Sequence, residues 1–380
     1  MFKPSLAVQR IEATSQRPSR RPGAGVISLA SGDPDFETPD YIRQALIDAI
    51  SAGYSHYADG QGDPELRGAL ASLAPRNAGV EIASNQVLVT HGGSAALTAA
   101  ILGTVNPGER VLIPEPTYSL YADLTRMIGA EPVFIPQTPD FHLDLDAIAQ
   151  EAANGASLLV VCHPCNPTGV IYRDEELRAL GRLAEEHDFL VLSDEAYDHI
   201  VFAGHPFTST LAIEELRERL IYCQTFSKTY AMTGWRVGYL IAPVQITAAA
   251  ARIHRSLVGP MNSAVQRAAL AAVMTESDWP ERMRAEYEVR RELVGKLLSD
   301  VPGVSVRLPD GAFYAFVKYE GDPSPLEVVE AAHDLGVAVR AGTEYGPSGD
   351  GYVRLAFATD RENLTEGVMR LRSLLASLAS

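Results

Sequence analysis

Residues Thr225 to Gly238 read TFSKTYAMTGWRVG and lie between two apolar runs of strand length, Arg219 to Gln224 and Arg236 to Ala242. The gap between the runs is too short for a crossover helix, so the two strands are expected as antiparallel neighbours closing a sheet. The stretch holds one lysine, Lys228, with the hydroxyls of Thr225, Ser227 and Thr229 and the guanidinium of Arg236. A desolvated lysine near another cation has a lowered pKa, and its neutral amine can form an imine with an aldehyde. Hydroxyls and a bidentate guanidinium suit a dianionic phosphate. An imine-forming lysine beside a phosphate is what pyridoxal phosphate requires. Read alone, Lys228 is a solvated charge on a polar hairpin. Other stretches have to decide between the two.

Working outward, apolar runs at Gln86 to Val89, Arg110 to Ile113, Pro132 to Ile135, Ser157 to Cys162 and Phe189 to Ser193 are nearly continuous. Strands buried on both faces of a parallel sheet read this way. Helical patterns separate them. In Asp174 to Asp188 a face of Leu177, Leu180 and Ala184 follows an acidic first turn. The expectation is an α/β fold, a large domain with a mostly parallel sheet and one antiparallel strand between helices. A long helix from Trp279 to about Asp300 leads into a small α+β domain. Its strands are expected near Val304 to Arg307, Ala312 to Lys318, Val337 to Arg340 and Tyr352 to Ala358. The division expected is 1–45 for an N-terminal arm and part of the small domain, 46–284 for the large domain, and 285–380 for the small C-terminal domain.

The 380 residues carry 48 acids against 32 Lys+Arg, a formal net charge of -16, which opposes nucleic-acid binding through phosphate neutralisation. No apolar window is long enough to cross a bilayer. The beginning of the chain is basic (Lys3, Arg10, Arg17, Arg20 and Arg21 against Glu12), but Pro4, Pro18 and Pro22 break any long amphipathic helix there. A mobile arm is expected. Three cysteines fit a reducing, cytoplasmic compartment. Cys162 and Cys165 form a CxxC with no second ligand pair for a structural zinc, and the prolines at 164 and 167 do not resemble a redox helix start.

Three turns carry candidate chemistry. His91-Gly92-Gly93-Ser94-Ala95 follows a strand and opens a helix, where free N–H groups bind anions. It is not GxGxxG, which counts against a nicotinamide dehydrogenase. Asn166-Pro167-Thr168-Gly169 and Asp194-Glu195-Ala196-Tyr197 each end a parallel strand at the edge where such sheets bind ligands. Asp194 against a pyridine nitrogen would keep it protonated and make the ring an electron sink.

These stretches, with SGDPDFETP, HYADGQGDPELR, PTY, GAFYAF and YVRLAFA, occur in one order from about Val26 to the last helix. The sequence resembles the class I/II aminotransferases, the aspartate-aminotransferase-like branch of fold-type I pyridoxal 5'-phosphate enzymes. The resemblance implies that Lys228 binds the cofactor and shuttles the proton, that Asp194 pairs with the ring nitrogen, and that Tyr197 and Asn166 contact the ring hydroxyl. It further implies that Tyr118 stacks on the ring and that Gly93, Ser94, Ala95, Thr225, Ser227 and Arg236 hold the phosphate. Tyr57 would reach the phosphate across a homodimer interface. Arg354, with Gly32 and Asn166, would grip the carboxylate of amino acid and 2-oxo acid substrates. Amino-group transfer in ping-pong order follows. A β-eliminating or decarboxylating lyase on the same scaffold shares these parts, and an effector-sensing domain of a transcription regulator is disfavoured by the charge. Two positions depart from the family. Ser94 stands where a dicarboxylate-specific branch has a lysine, and Arg340-Ala341-Gly342 stands where many relatives have proline-glycine. Both put a dicarboxylate substrate in doubt, although Arg17, Arg20 or Arg21 of the arm could supply a replacement cation.

Overall fold

The computed structural model describes residues 2–12, 23, 25–73 and 79–378, so Arg17, Arg20 and Arg21 lie outside the described residues. The strands are β1 (Ile27–Ser28), β2 (Val87–Thr90), β3 (Arg110–Glu115), β4 (Glu131–Pro136), β5 (Leu158–Cys162), β6 (Leu190–Asp194), β7 (Leu220–Thr225), β8 (Gly238–Ile241), β9 (Val304–Val306), β10 (Tyr314–Tyr319), β11 (Val337–Ala338), β12 (Arg340–Ala341) and β13 (Tyr352–Ala356). Seven of them form one sheet in the order β2-β8-β7-β6-β5-β3-β4. Only β8 runs against its neighbours, pairing antiparallel with both β2 and β7. The short connection between β7 and β8 forces that direction.

Because β2, β3, β5, β6 and β7 are parallel, their carboxyl ends meet at one edge, and the strand order reverses between β3 and β5. Diverging connections at such a reversal leave a crevice. The sheet is covered on both faces, and β5 shows it within five residues. Leu159 and Val161 join one apolar core while Leu158, Val160 and Cys162 join the other. On the helix Asp174–Glu186, the expected face of Leu177, Leu180 and Ala184 is fully buried.

A third core gathers the four-stranded sheet β12-β13-β10-β9, the long helix Trp279–Leu298 and the closing helix Arg361–Leu378. Three of the shifts from the expected boundaries have a visible cause. Ala312 has φ 59°, so β10 begins only at Tyr314, after that left-handed residue. The expected strand at Val337 to Arg340 is two strands in two sheets: β11 pairs parallel with β1, and β12 pairs antiparallel with β13. Arg236 has φ 57° and caps the short turn Thr233–Trp235, so β8 starts at Gly238. In the arm, Leu6–Glu12 is a helix packed on the helix Leu120–Met127, which corrects the reading of that part as free chain. No helix among the described residues is long and apolar enough to cross a membrane.

Candidate active site

Lys228 sits on a single helical turn, Phe226–Thr229, directly after β7. The Thr225 hydroxyl caps that turn by accepting from the Ser227 N–H (3.2 Å), and it donates to the Ser227 hydroxyl (2.8 Å). The turn aims Nζ at the crevice, where it donates to the Gly32 carbonyl at 2.5 Å. Burial lowers the Lys228 pKa to about 8, with Arg354 and Arg236 adding to the shift against Asp33 and Asp194. A substantial neutral fraction therefore exists near physiological pH.

Beside it two glycine segments and the Arg236 guanidinium converge because the glycines lack side chains. Gly92 (φ 79°) caps the helix Gly93–Thr104, and a Cβ there would stand 2.6 Å from an Arg236 nitrogen. A Cβ on Gly238 would stand 2.7 Å from the Gly92 carbonyl carbon and 2.8 Å from the Gly93 nitrogen. The helix start, the guanidinium and the β8 backbone thus form a cup open to the cavity. Arg236 donates to the Thr233 carbonyl (2.8 Å) and makes no ion pair among the described residues. Behind the cup, the His254 imidazole meets His91 Nδ1 at 3.2 Å; burial lowers the His254 pKa to about 4, and burial with Arg236 lowers that of His91. Ala95 does not line the cavity. Its N–H bonds back to the Gly92 carbonyl (3.2 Å), and Leu97 takes the lining position instead.

Asp194 ends β6 and is buried; it accepts from the Tyr121 hydroxyl (2.7 Å) and the Ala196 N–H (3.3 Å). Burial raises its pKa, and Tyr121 only partly offsets this. Such a carboxylate is completed by a cation. Tyr118 stands edge-on to Tyr121, and the Tyr197 hydroxyl meets the Tyr314 hydroxyl at 2.8 Å. Gly32 matters twice, since a Cβ there would collide with the Tyr314 hydroxyl.

Arg354, on β13, is 4% exposed, yet it has no carboxylate partner among the described residues. It donates to the Ala30 carbonyl and to Asn166 Oδ1 (3.3 Å), lies 4.3 Å over the Tyr314 ring, and leaves Nε without a partner. A buried guanidinium of this kind is a receptor for an anion.

Lys228, Asp194, Tyr197, Gly93, Ser94, Tyr118, Asn166, Thr225, Ser227, Arg236, Gly32 and Arg354 all line one cavity of about 370 Å³. Tyr57 does not, and is 93% exposed. Cys162 lines the same cavity as a free thiol, and no group of three or more metal-ligating side chains occurs among the described residues. The sequence does not mark Tyr121, Tyr345 or Glu344 as site residues; Arg340 stands out only as part of the Arg340-Ala341-Gly342 departure, and Tyr314 only as part of GAFYAF. Tyr121 is an aromatic on a buried helix face, indistinguishable in sequence from packing.

The model of the family "Aminotransferase class I and II" matches residues 24–371. The chain belongs to the class I and II aminotransferases. It is 34% identical over 359 residues to an aspartate aminotransferase of Pyrococcus horikoshii, covering 92% of this chain and 90% of that protein. It superposes on a Thermus thermophilus aspartate aminotransferase variant with a TM-score of 0.89 and 32% identity, over 99% of this chain and 100% of the other. For an aromatic aminotransferase from Pyrococcus horikoshii the TM-score is 0.91 at 32% identity, over 98% and 99% of the two chains. This aminotransferase depends on pyridoxal phosphate, as its family does. Its residues fit the group. The glycine-lined cup with Arg236, which makes no ion pair among the described residues, matches a phosphate, the buried Asp194 carboxyl matches a protonated ring nitrogen, and Lys228 is a depressed-pKa amine in the same cavity.

Proposed function

We propose that the enzyme moves the amino group of an amino acid to a 2-oxo acid in two half-reactions, with the roles of its residues set by their places around the cavity. The observation that carries this reading is Arg354, a buried guanidinium with no carboxylate partner among the described residues, facing the same cavity as Lys228. It binds the α-carboxylate, with Asn166 and the Gly32 backbone completing the grip. That fixes the substrate by one end and brings its α-carbon toward Lys228 Nζ.

Bound pyridoxal phosphate supplies an aldehyde for the amino group and a protonated ring that takes up the electron pair left at the α-carbon. Asp194 holds the proton on the ring nitrogen, and the Tyr121 hydroxyl keeps Asp194 oriented. Tyr118 covers the ring face, and Tyr197 with Asn166 addresses the ring hydroxyl. Gly93, Ser94, Thr225, Ser227 and Arg236 hold the phosphate. Lys228 Nζ would act as general base on the α-proton, hold it, and return it to the carbon that came from the aldehyde. A second acid then runs the sequence in reverse, giving ping-pong kinetics.

The active assembly is a homodimer in which Tyr57 of each subunit reaches its partner's phosphate. The exposure of Tyr57, Tyr54, Ile47 and Ile50 on adjoining segments supports such an interface. Three buried, free thiols support a reducing, cytoplasmic location. The division into domains falls inside the helix Trp279–Leu298, near Ala285, since its residues from Met283 onward belong to the core of the smaller unit. Relatives named for aspartate and for aromatic substrates stand at similar identity, so the donor has to be read from the cavity itself.

The test is a panel of amino acids offered to the holoenzyme with and without 2-oxo acids, following the ketone product, released thiol and carbon dioxide. The expected result is stoichiometric 2-oxo acid, parallel-line kinetics and neither thiol nor carbon dioxide. Product formed without an acceptor, with release of either, would establish a lyase instead.

A further inference from the structure

Four cations and three carboxylates face the cavity, and the roles above use only some of them. Lys228, Arg236 and Arg354 are engaged, as is Asp194; Asp33 accepts from the Thr233 hydroxyl at 2.6 Å. What remains is a pair, Arg340 and Glu344, with Nη1 to Oε2 at 3.2 Å and side chains 26% and 5% exposed. Arg340 stands directly opposite Arg354 in the register of β12 and β13. Both arginines reach toward the same Ala30 carbonyl, Arg340 through Nε at 3.4 Å. Directly paired residues on antiparallel strands are about 5 Å apart. A substrate anchored on Arg354 by its α-carboxylate therefore has its other end near Arg340.

We propose that the Arg340–Glu344 pair determines specificity by reading the distal group of the substrate, and that the group it favours is a primary carboxamide. This rests on the transamination reading above. A distal carboxylate drawn to Arg340 would stand beside the Glu344 carboxylate, and like charges at that range repel in a partly desolvated site. An ammonium side chain meets the converse problem at Arg340. A carboxamide carries no net charge and presents both kinds of atom. Its oxygen accepts from Arg340, whose Nη2 has no partner among the described residues, and its NH2 donates to a carboxylate. Ser94, small and uncharged, adds no cation that would shift the balance toward acids.

The test uses the holoenzyme in single half-reactions with asparagine, glutamine, aspartate, glutamate and alanine, for wild type, Arg340→Gln and Glu344→Gln. The wild type is expected to use the amides about tenfold or more better than the corresponding acids, the range that one polar contact supplies. Glu344→Gln should shrink the amide-to-acid ratio about tenfold, and Arg340→Gln should lower the amide-to-alanine ratio by a similar factor. A merely structural role would scale all five donors together. Acids used as well as amides by the wild type, or ratios unmoved in both variants, would overturn the inference while alanine turnover leaves the transaminase reading standing. A wild type that converts none of the five would remove that reading, and this one with it.

Discussion

Lys228 does its work as a neutral amine, and the residues around it set the pH at which that amine appears. Burial, Arg354 and Arg236 bring its pKa to about 8, against about 10.4 for an exposed lysine. In cofactor-free protein, reductive methylation should therefore modify Lys228 with a midpoint near pH 8. The sign follows from the lowered value: reactive amine accumulates as pH rises through 8 and is lost below it. A midpoint above 10 for Lys228 would mean that the amine is solvated. Asp194 is the complementary case, a buried acid whose pKa is raised until a cation completes it. Asp194→Asn keeps the shape and the Tyr121 contact but cannot hold a proton on the ring. Turnover should fall by about three orders of magnitude, some 4 kcal/mol in barrier, with the circular dichroism spectrum unchanged. Near wild-type turnover would show that the ring nitrogen needs no such partner.

At the scale of elements, the site exists because parallel strands deliver their carboxyl ends to one edge and three glycine-permitted approaches close the cup there. Gly238→Ala places a methyl group within 2.8 Å of Gly93 and pushes the start of helix Gly93–Thr104 away from Arg236. The expected cost is about 1–3 kcal/mol of stability by overpacking, together with weaker cofactor retention on gel filtration. Retention equal to wild type would mean that the helix start does not bind the phosphate. Much of this edge was legible in the chain. Nearly continuous apolar runs announce buried parallel strands, and a short polar gap between two of them announces the antiparallel closure at β8. The turns NPTG and DEAY stand out because each follows such a run. Other features had no signature. β1 is two residues long and acquires meaning only from pairing with β11. Arg340 read as the end of one strand because nothing in VAVRA marks the switch from one sheet to another. Tyr121 and Tyr345 are aromatics whose roles depend on what folds against them.

For the whole molecule, the exposed apolar side chains around Tyr57 ask for a cover. Sedimentation equilibrium should give twice the chain mass at micromolar concentration, and Tyr57→Ala should lower cofactor retention without altering that mass. A fully active monomer would refute the shared site. The central claim concerns one nitrogen among few, since the chain has only the lysines Lys3, Lys228, Lys296 and Lys318. Borohydride reduction of the holoenzyme followed by peptide mass mapping tests it most directly. The cofactor should be fixed on the peptide containing Lys228, with no adduct in Lys228→Ala; fixation on Lys3, Lys296 or Lys318 would contradict the account.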